Sequence, residues 1–457
     1  MHERFFSYTE QFGNIFQVKI FNSKIVCLNS SELVRKAFSE EPYKRVMNDR
    51  DSFFFSDYVH YGAQTIGAIH KGSSPLHSGL RKGYTKAFHV YGDGTETFEK
   101  KVSAELLRFS QEIDSFNGHG FDFQALLKKS LSNLISILMI GEDVSDDNDK
   151  IFWEYDRSTN FLINPTANII LSTFPFLRFV PGTYMQAFKE IVAAKKAIEK
   201  KYVEEPIKTY QPGTIRGIID SLYSQYLADK DAGREPVYNY ERISCAAMET
   251  IGAGILTSFA TLSNLLVCLL HHPEYQLKIQ RELDEVVGRD RLPTITDRGK
   301  CPWLEAVLME SLRLIPTNPL LAPHHCYKDV EFEGYRMDTN TTIVANLWYI
   351  HHDPKVWEDP WTFRPERFLN EEDHLISMDH RFRRNWFPFG IGRRQCVGEP
   401  IARSRMFLYL ATLLQRWTFV QVPGEVGSCD PRRSDSFGVH LMMIAKPFIC
   451  KVVERET

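Results

Sequence analysis

The stretch that decides the fold is Phe389-Gly390-Ile391-Gly392-Arg393-Arg394-Gln395-Cys396-Val397-Gly398, with a helical pattern starting after Glu399-Pro400. A cysteine binds a metal as its thiolate, and nearby positive charge or a helix N-terminus favours that form. Two arginines precede Cys396 here, and glycines on both sides of it let the backbone fold closely around the sulfur. The stretch therefore predicts a thiolate ligand on a tight loop before a helix.

The composition excludes several classes of protein. None of the eight cysteines in the 457 residues forms a Cys-x-x-Cys pair. Their scatter favours free thiols in a reducing compartment over a disulfide framework or a zinc site. The formal net charge of −3 argues against nucleic acid as the main partner, because phosphate binding needs a basic face. Because the chain has no linker, repeat or low-complexity tract, we expect residues 1–457 to form one domain.

Helical patterns dominate the chain. Alternating residues predict a hairpin over 15–29, and Ser31 is predicted to cap a short helix. Helical periodicity extends from 98 to 278. Further helices are expected over 275–288, 303–315 and 400–418, and short strands over 329–337, 341–350 and the C-terminal end. This pattern predicts a mainly α fold with a minor β part.

The apolar run from Ile243 to Leu270 is long enough to cross a bilayer. It contains Glu249 and Asn264, however, and polar groups of this kind favour a helix buried in a large core. The first residues, MHERFFSYTEQFG, have neither the apolar core of a signal peptide nor a membrane span.

Two further motifs accompany the cysteine stretch. Glu310-Ser311-Leu312-Arg313 and Phe363-Arg364-Pro365-Glu366-Arg367-Phe368 precede it in that order. Together with Phe-x-x-Gly-x-Arg-x-Cys-x-Gly, they resemble the signature motifs of the cytochrome P450 (haem-thiolate) superfamily, most closely its eukaryotic microsomal-type members. The resemblance covers essentially the whole chain. It implies the cytochrome P450 fold, a triangular prism with haem b between the distal helix and the cysteine loop.

The resemblance also implies roles for individual residues. Cys396 would be the iron ligand and Phe389 would shield the proximal side of the haem, while Gly392, Arg394 and Gly398 complete the motif. The haem propionates would contact His77, Arg81, Arg394 and His324. Glu310, Arg313 and Arg367 would form a structural network that locks the thiolate side. Many relatives carry Trp where His77 stands.

The distal helix departs from the family pattern. Ala253 and Gly254 take the small positions that widen the helix beside the haem, and Thr257, followed by Ser258, takes the threonine position. Leu256 stands where the family has an acid that delivers protons for cleaving the O–O bond. An alkyl side chain cannot relay protons, and Glu249 lies about two turns away, roughly 10 Å along the axis.

Two enzymatic functions therefore stay open. The first is a monooxygenase supplied with electrons by a flavoprotein NADPH reductase, which would dock on a basic face formed by Arg381, Arg383, Arg384, Arg393, Arg403 and Arg405. The second, favoured by Leu256, is a reductase-independent enzyme that rearranges fatty acid hydroperoxides as an isomerase, epoxyalcohol synthase or lyase. A haem carrier or sensor is disfavoured, because the expected pocket lining is that of an enzyme.

The substrate and the location follow from the same resemblance. The pocket is expected to be lined by 52–69, 174–182, the distal helix, 317–322 and 436–440, segments rich in Phe, Leu and Ile that favour a lipophilic ligand. The segment FPFLRFVPG (174–182) also has the character of a membrane-surface contact. We expect either the cytoplasmic side of the endoplasmic reticulum membrane, if an N-terminal anchor was removed, or a soluble intracellular form.

Overall fold

The computed structural model describes residues 2–20, 23–51, 53–62, 64–92, 94–143, 146–439 and 442–455. Helices make up most of this part of the chain, and the strands are short. The predicted mainly α fold with a minor β part is confirmed.

The α-helices are α1 (His2–Phe12), α2 (Ser31–Ser39), α3 (Tyr43–Val46), α4 (Phe54–Tyr58), α5 (Pro75–Val90), α6 (Glu96–Asp114), α7 (Phe123–Ile140), α8 (Asp146–Leu162), α9 (Pro165–Thr173), α10 (Thr183–Glu199), α11 (Glu205–Lys208), α12 (Ile218–Asp231), α13 (Tyr240–His271), α14 (Pro273–Val286), α15 (Pro302–Leu314), α16 (Leu347–Ile350), α17 (Arg381–Arg384) and α18 (Glu399–Arg416). Short 3₁₀ segments cover Pro175–Phe179, Ile295–Lys300, Pro365–Phe368 and Gly392–Arg394, and a π-turn, Lys200–Glu204, follows α10.

The strands are β1 (Ile15–Ile20), β2 (Ser23–Leu28), β3 (Phe121–Asp122), β4 (His324–His325), β5 (Val330–Phe332), β6 (Tyr335–Met337), β7 (Thr342–Ala345), β8 (Trp417–Gln421), β9 (Phe437–Val439), β10 (Met443–Ala445) and β11 (Ile449–Glu454). They form sheets in the orders β1-β2-β7-β4 and β3-β11-β8, and the pairs β5-β6 and β9-β10. The predicted N-terminal hairpin is confirmed, with β1 and β2 antiparallel from Ile15 opposite Leu28 to Ile20 opposite Ser23.

The chain divides into two compact units. The first comprises Met1–Asn48, Leu106–Leu127 and Thr257–Thr457, and the second comprises Asp49–Glu105 and Lys128–Leu256. In the first unit, a core cluster that includes Val34, Phe38, Ile343 and Leu347 joins α2 to the four-stranded sheet. In the second unit, α10 packs on α8 and α12 packs on α5.

Three predicted boundaries were wrong. Ser30, not Ser31, caps α2: its backbone is extended, and its side chain accepts a hydrogen bond from the amide of Leu33. The strand predicted over 341–350 ends at Ala345, because the side chain of Asn346 accepts from the amide of Tyr349 and starts α16. The last helix ends at Arg416, where the chain turns into β8.

Two helices in the described part of the chain are long and apolar enough to cross a membrane. They are Phe123–Ile140 and Tyr240–His271, and their most apolar windows are 78% and 83% buried within the protein. The second contains the apolar run 243–270, so the expectation of a buried helix agrees with its surroundings.

Candidate active site

Cys396 lies on the loop between the 3₁₀ segment Gly392–Arg394 and the first turn of α18. Its amide donates to the carbonyl oxygen of Phe389 over 2.9 Å, which closes the loop. Cys396 is exposed, whereas six of the other cysteines are buried and Cys429 is half-buried. The loop therefore presents an accessible sulfur close to the N-terminus of an 18-residue helix.

Two glycines flank the sulfur, and they are needed to different degrees. Gly392 has φ +75°, and a Cβ atom there would overlap the backbone carbonyl of Phe38 at the end of α2. A Cβ atom at Gly398 would lie 3.8 Å from the Cys396 sulfur, an ordinary contact. Gly392 is thus fixed both by its left-handed backbone and by the close approach of α2.

Two of the predicted cationic residues are held by neighbouring carbonyls. The Nε of Arg394 donates to the carbonyl of Asn48 over 2.9 Å, and Nδ1 of His324 lies 3.1 Å from the carbonyl of Met47. Because a carbonyl only accepts, Nδ1 of His324 carries the proton. The His324 ring also stacks on Phe38, with 3.7 Å between ring centroids.

His77 and Arg81 lie in the second unit, four residues apart on one face of α5. His77 is buried near the start of the helix, where its amide donates to the capping side chain of Ser74 over 3.1 Å, and Arg81 is half-buried.

Glu310, Arg313 and Arg367 come together in the first unit. Arg313 donates from Nε and Nη2 to the two carboxylate oxygens of Glu310 over 2.7 and 2.8 Å, and Nε of Arg367 lies 3.3 Å from Oε1. All three side chains are 0% exposed. Arg313 also donates to the carbonyls of His351 and Pro360, so α15 is tied to the segment that leads toward the cysteine loop.

The candidate distal residues lie on α13. Ala253 is exposed and Thr257 is half-buried, and their four-residue spacing places them on one face. Leu256 and Ser258 are buried, at 7% and 3% exposure. Gly254 contacts α7 closely, since a Cβ atom there would lie 2.8 Å from Cδ1 of Ile135. Packing on α7 is thus sufficient to explain the glycine.

Comparison with known proteins identifies the family. The family model described as cytochrome P450 matches residues 1–452. The chain belongs to the cytochrome P450 family. It is 28% identical to a steroid 17-alpha-hydroxylase/17,20 lyase of Squalus acanthias over 96% of this chain and 85% of that protein, and 29% identical to cytochrome P450 1A1 of Cavia porcellus over 97% and 87%.

Solved structures of this family have the same fold. A zebra fish cytochrome P450 with abiraterone matches with a TM-score of 0.82 and 26% identity over 100% of both chains. A second structure of a zebra fish cytochrome P450, with progesterone, matches with a TM-score of 0.83 and 27% identity over 99% of both chains.

The cytochrome P450 family implies a haem, and the residues present fit that group. The group needs a sulfur ligand and cationic partners for two carboxylates. The exposed Cys396 supplies the sulfur. Arg394 and His324 offer nearby nitrogen donors, anchored by adjacent carbonyls at Asn48 and Met47.

Sequence reasoning missed how Glu249 is used in this P450. Its carboxylate accepts hydrogen bonds from the amides of Ile66 and Gly67 over 3.1 and 2.8 Å. The carboxylate therefore fixes the segment before α5. An acidic residue inside a long apolar run was the only available signal, and it does not indicate which amides the carboxylate binds.

Thr261 was also missed. Its hydroxyl donates to the carbonyl of Thr257 over 2.8 Å and lies 2.9 Å from the hydroxyl of Thr317. Thr261 lies one turn beyond Thr257, and Thr317 belongs to a segment predicted to line the pocket. The four-residue spacing could have drawn attention to Thr261.

The predicted docking face needs two corrections. Arg405 is buried, at 5% exposure. Arg403 is 16% exposed and pairs with Glu305 and Glu399 over 3.1 and 3.5 Å. Arg405 therefore cannot form part of a surface face, and Arg403 is engaged in ion pairs. Arg403 still lines a cavity of about 560 Å³ beside the loop, together with Arg35, Arg383 and Arg384 among other residues.

One of the predicted pocket segments lies at the protein surface. In 174–182, Phe174, Phe176 and Phe179 are 50%, 58% and 67% exposed, so these three side chains do not line a closed pocket. The segment is a short 3₁₀ turn at the surface. Of the remaining segments, Ser52, Ala63 and His440 lie outside the described residues.

Proposed function

We propose that this P450 inserts one oxygen atom from O₂ into a lipophilic substrate, while two electrons from NADPH reduce the second oxygen atom to water. The observation that carries the proposal is the whole-chain match to the family, whose members similar to this chain include steroid 17-alpha-hydroxylases. Residues 1–457 would act as a single catalytic domain, and haem b would supply the oxygen-activating redox chemistry.

Each residue of the site has a defined part in this proposal. Cys396 would bind the iron through its sulfur, and Phe389 and Gly398 would complete the loop around that bond. Arg394 and His324, together with His77 and Arg81 on α5, would bind the propionates. Thr257 and Ser258 would hold the protons that reach the distal side, because Leu256 has none to give.

The electrons would come from a flavoprotein NADPH reductase that docks beside the cysteine loop. Arg35, Arg383, Arg384 and Arg403 line the cavity there together with Asp379 and Glu399. An acidic partner surface complements such a cationic rim, and rim charges act mainly on the association rate. Arg384, which is exposed, is the residue whose reversal to Glu should slow reductase-supported reduction most cleanly.

Leu256 supports a second candidate function, the rearrangement of fatty acid hydroperoxides without a reductase. In such a reaction the O–O bond already exists in the substrate, so no distal acid is needed. Leu256 is buried and supports this alternative, because its apolar side chain occupies the position from which an acid would deliver protons through water.

One experiment separates the two functions. Purified haem-loaded protein is given progesterone, a reductase and NADPH in one reaction, and a polyunsaturated fatty acid hydroperoxide alone in another. Product formation that needs reductase, NADPH and O₂ supports oxygenation. Rapid conversion of the hydroperoxide without reductase would overturn it in favour of the rearrangement. Progesterone is the first probe because the zebra fish structure holds it, and other steroids and fatty acids follow.

The same protein would rest against a membrane, on the cytoplasmic side of the endoplasmic reticulum. Four exposed apolar side chains, Phe174, Phe176, Phe179 and Val180, form the tip of the turn after α9. Arg178 lies among them, with its guanidinium 3.9 Å from the ring centroid of Tyr58 and 4.5 Å from that of Phe179. An apolar tip with a cation behind it suits the headgroup region of a bilayer.

A further inference from the structure

A cavity of about 510 Å³ in the first unit has a strongly cationic wall. Its charged or titratable lining residues are Arg364, Arg367, Arg381, His380, Glu358 and Glu366. It lies between the Pro365–Phe368 turn and α17, and none of its lining residues belongs to the loop that carries Cys396. Nothing in the proposed oxygenation uses these side chains as a group.

Arg367 leaves part of the positive charge at this wall uncompensated. Its carboxylate partner, Glu310, is already bound through both oxygens by Arg313. Arg367 contacts Glu310 at 3.3 Å and the carbonyl of Asp359 at 2.8 Å. Its Nη1 is buried and has no hydrogen-bond partner among the residues that the structure describes. One carboxylate thus serves two buried guanidinium groups.

The two carboxylates of the wall do not remove this excess. Glu366 is taken up by Lys278 and by the hydroxyl of Tyr275, each at 2.9 Å. Glu358 lies 3.4 Å from Arg364 and is exposed. Arg381 is exposed, with its guanidinium 4.8 Å from the ring centroid of Phe382. The wall and the adjoining network together contain three carboxylates and five cations. The carboxylates are Glu310, Glu358 and Glu366, and the cations are Arg313, Arg364, Arg367, Arg381 and Lys278.

His380 adds a directional donor. Its Nδ1 accepts a hydrogen bond from the amide of Phe382 over 3.3 Å and thereby caps α17. A ring nitrogen that accepts carries no proton, so Nε2 of the neutral ring must be the N–H donor. The wall therefore combines guanidinium forks with an imidazole N–H.

We propose that this cavity binds a phosphate monoester or inorganic phosphate. A phosphate dianion balances the excess of two positive charges, and guanidinium groups bind its oxygens in bidentate fashion. The rest of the wall is apolar, formed by Leu369, Ile376 and Phe382, and suits the organic part of a monoester. Because the cavity adjoins Arg367, a bound phosphate stabilises the network that includes Glu310 and Arg313.

The test uses isothermal titration calorimetry on the haem-loaded protein. Inorganic phosphate and glycerol 3-phosphate are titrated separately, with chloride replacing them at equal ionic strength as the reference. We expect saturable one-to-one binding of at least one of the two. Binding of glycerol 3-phosphate alone assigns the site to a monoester, and binding of inorganic phosphate alone assigns it to the free ion.

Two variants test the location of the site, and a third is a control that removes the same charge elsewhere. Arg381→Gln should weaken binding at least tenfold, and His380→Asn should weaken it less, because Asn keeps an acceptor that caps α17. Arg433→Gln removes another exposed arginine, which pairs with Asp435, so this variant should bind as the parent does. No saturable heat with either probe, or equal weakening by Arg381→Gln and Arg433→Gln, would overturn the proposal.

Discussion

Arg313 and Glu310, three residues apart on α15, form a two-pronged ion pair with neither side chain exposed. Arg313 donates in addition to the carbonyls of His351 and Pro360 over 2.8 and 2.7 Å. A single side chain therefore holds α15 to the loop that follows α16. Because both side chains are buried, loss of one partner leaves a buried charge rather than a solvated one.

Replacing Arg313 with Gln should therefore destabilise the protein by about 3–5 kcal/mol and lower its haem content. Arg367→Gln should cost less, since Arg367 contributes a single longer contact to Glu310. Denaturant unfolding and haem-to-protein absorbance ratios provide the measurements. Arg289→Gln, which breaks the half-exposed pair with Asp284, is the control and should change stability by less than about 1 kcal/mol. Equal effects at Arg313 and Arg289 would contradict the role of burial.

Gly392 offers a test of how tightly the cysteine loop is built. Gly392→Ala adds a Cβ atom in a left-handed backbone, at about 1–2 kcal/mol, and also drives it into the carbonyl of Phe38. Gly424 has φ +81° with open space within 4 Å of the position a Cβ atom would take, so Gly424→Ala carries only the backbone cost. We expect Gly392→Ala to be the more destabilising by at least about 1 kcal/mol. Thermal unfolding of both variants tests this, and similar melting temperatures would show that α2 yields.

The sequence was sufficient for the features that local rules determine. The alternation over 15–29 predicted the β1–β2 hairpin, and the motif around Cys396 predicted a closed loop ahead of a helix. It was insufficient where a choice depended on distant partners. Ser30 and Ser31 are chemically alike, and only the extended backbone of Ser30 makes it the cap. Likewise, Arg403 belongs with Glu305 because α15 and α18 pack together, which no spacing along the chain predicts.

The distal helix shows the same limit. The sequence predicts that Ala253 and Gly254 share one role, to widen the helix beside the haem. In the structure Gly254 packs against Ile135, whereas Ala253 is exposed. The sequence offers Glu249 as a remote acid, yet its carboxylate is bound to the amides of Ile66 and Gly67. In both cases the partner lies on another element, more than a hundred residues away in sequence.

Buried histidines should make the protein sensitive to mild acid. Burial, and then the charge of Lys195, lowers the pKa of His60 to about 3. Burial, and then Arg313, lowers the pKa of His351 to about 3. In the unfolded chain both groups bind a proton near pH 6.5, so their contribution to the free energy of unfolding is fully present above that pH. It falls between pH 6.5 and 3, by about 1.4 kcal/mol per pH unit for each group.

Urea unfolding at pH 7.5, 6.0 and 4.5 measures this slope. In the His60→Gln variant, the slope of the free energy of unfolding against pH should be smaller by about the contribution of one proton. Glutamine retains a hydrogen-bond partner for the hydroxyl of Tyr155. The contribution of Asp297 to stability is lost only at lower pH, because the hydrogen bond from Arg291 lowers the pKa of its carboxyl group to about 2. An unchanged slope in His60→Gln between pH 6.0 and 4.5 would contradict the assignment to His60.

The exposed aromatic tip should control membrane binding. Phe176→Ser and Phe179→Ser each remove a side chain that is more than half exposed, and each should weaken binding to liposomes about tenfold if the ring inserts. Co-sedimentation with phospholipid vesicles is the measurement. Tyr335→Ser, at 56% exposure on the β5–β6 hairpin, removes a comparable exposed ring elsewhere and should leave binding unchanged. Loss of binding in all three variants would point to a nonspecific effect.

The contact between Gly254 and Ile135 can be isolated by a double-mutant cycle. Gly254→Ala gains about 1 kcal/mol of helix propensity, but its methyl group meets Cδ1 of Ile135 at 2.8 Å, a clash of about 1–3 kcal/mol, so a net cost of about 0–2 kcal/mol is expected. Ile135→Val removes that same carbon atom and alone costs about 0.5–1.5 kcal/mol. In the double variant the clash disappears, and the loss of stability should be smaller than the sum of the two single losses by at least about 1 kcal/mol. Chemical denaturation of the four proteins measures the coupling. Strict additivity would mean that Ile135 rotates away at no cost, and that the glycine is needed on the other face of α13.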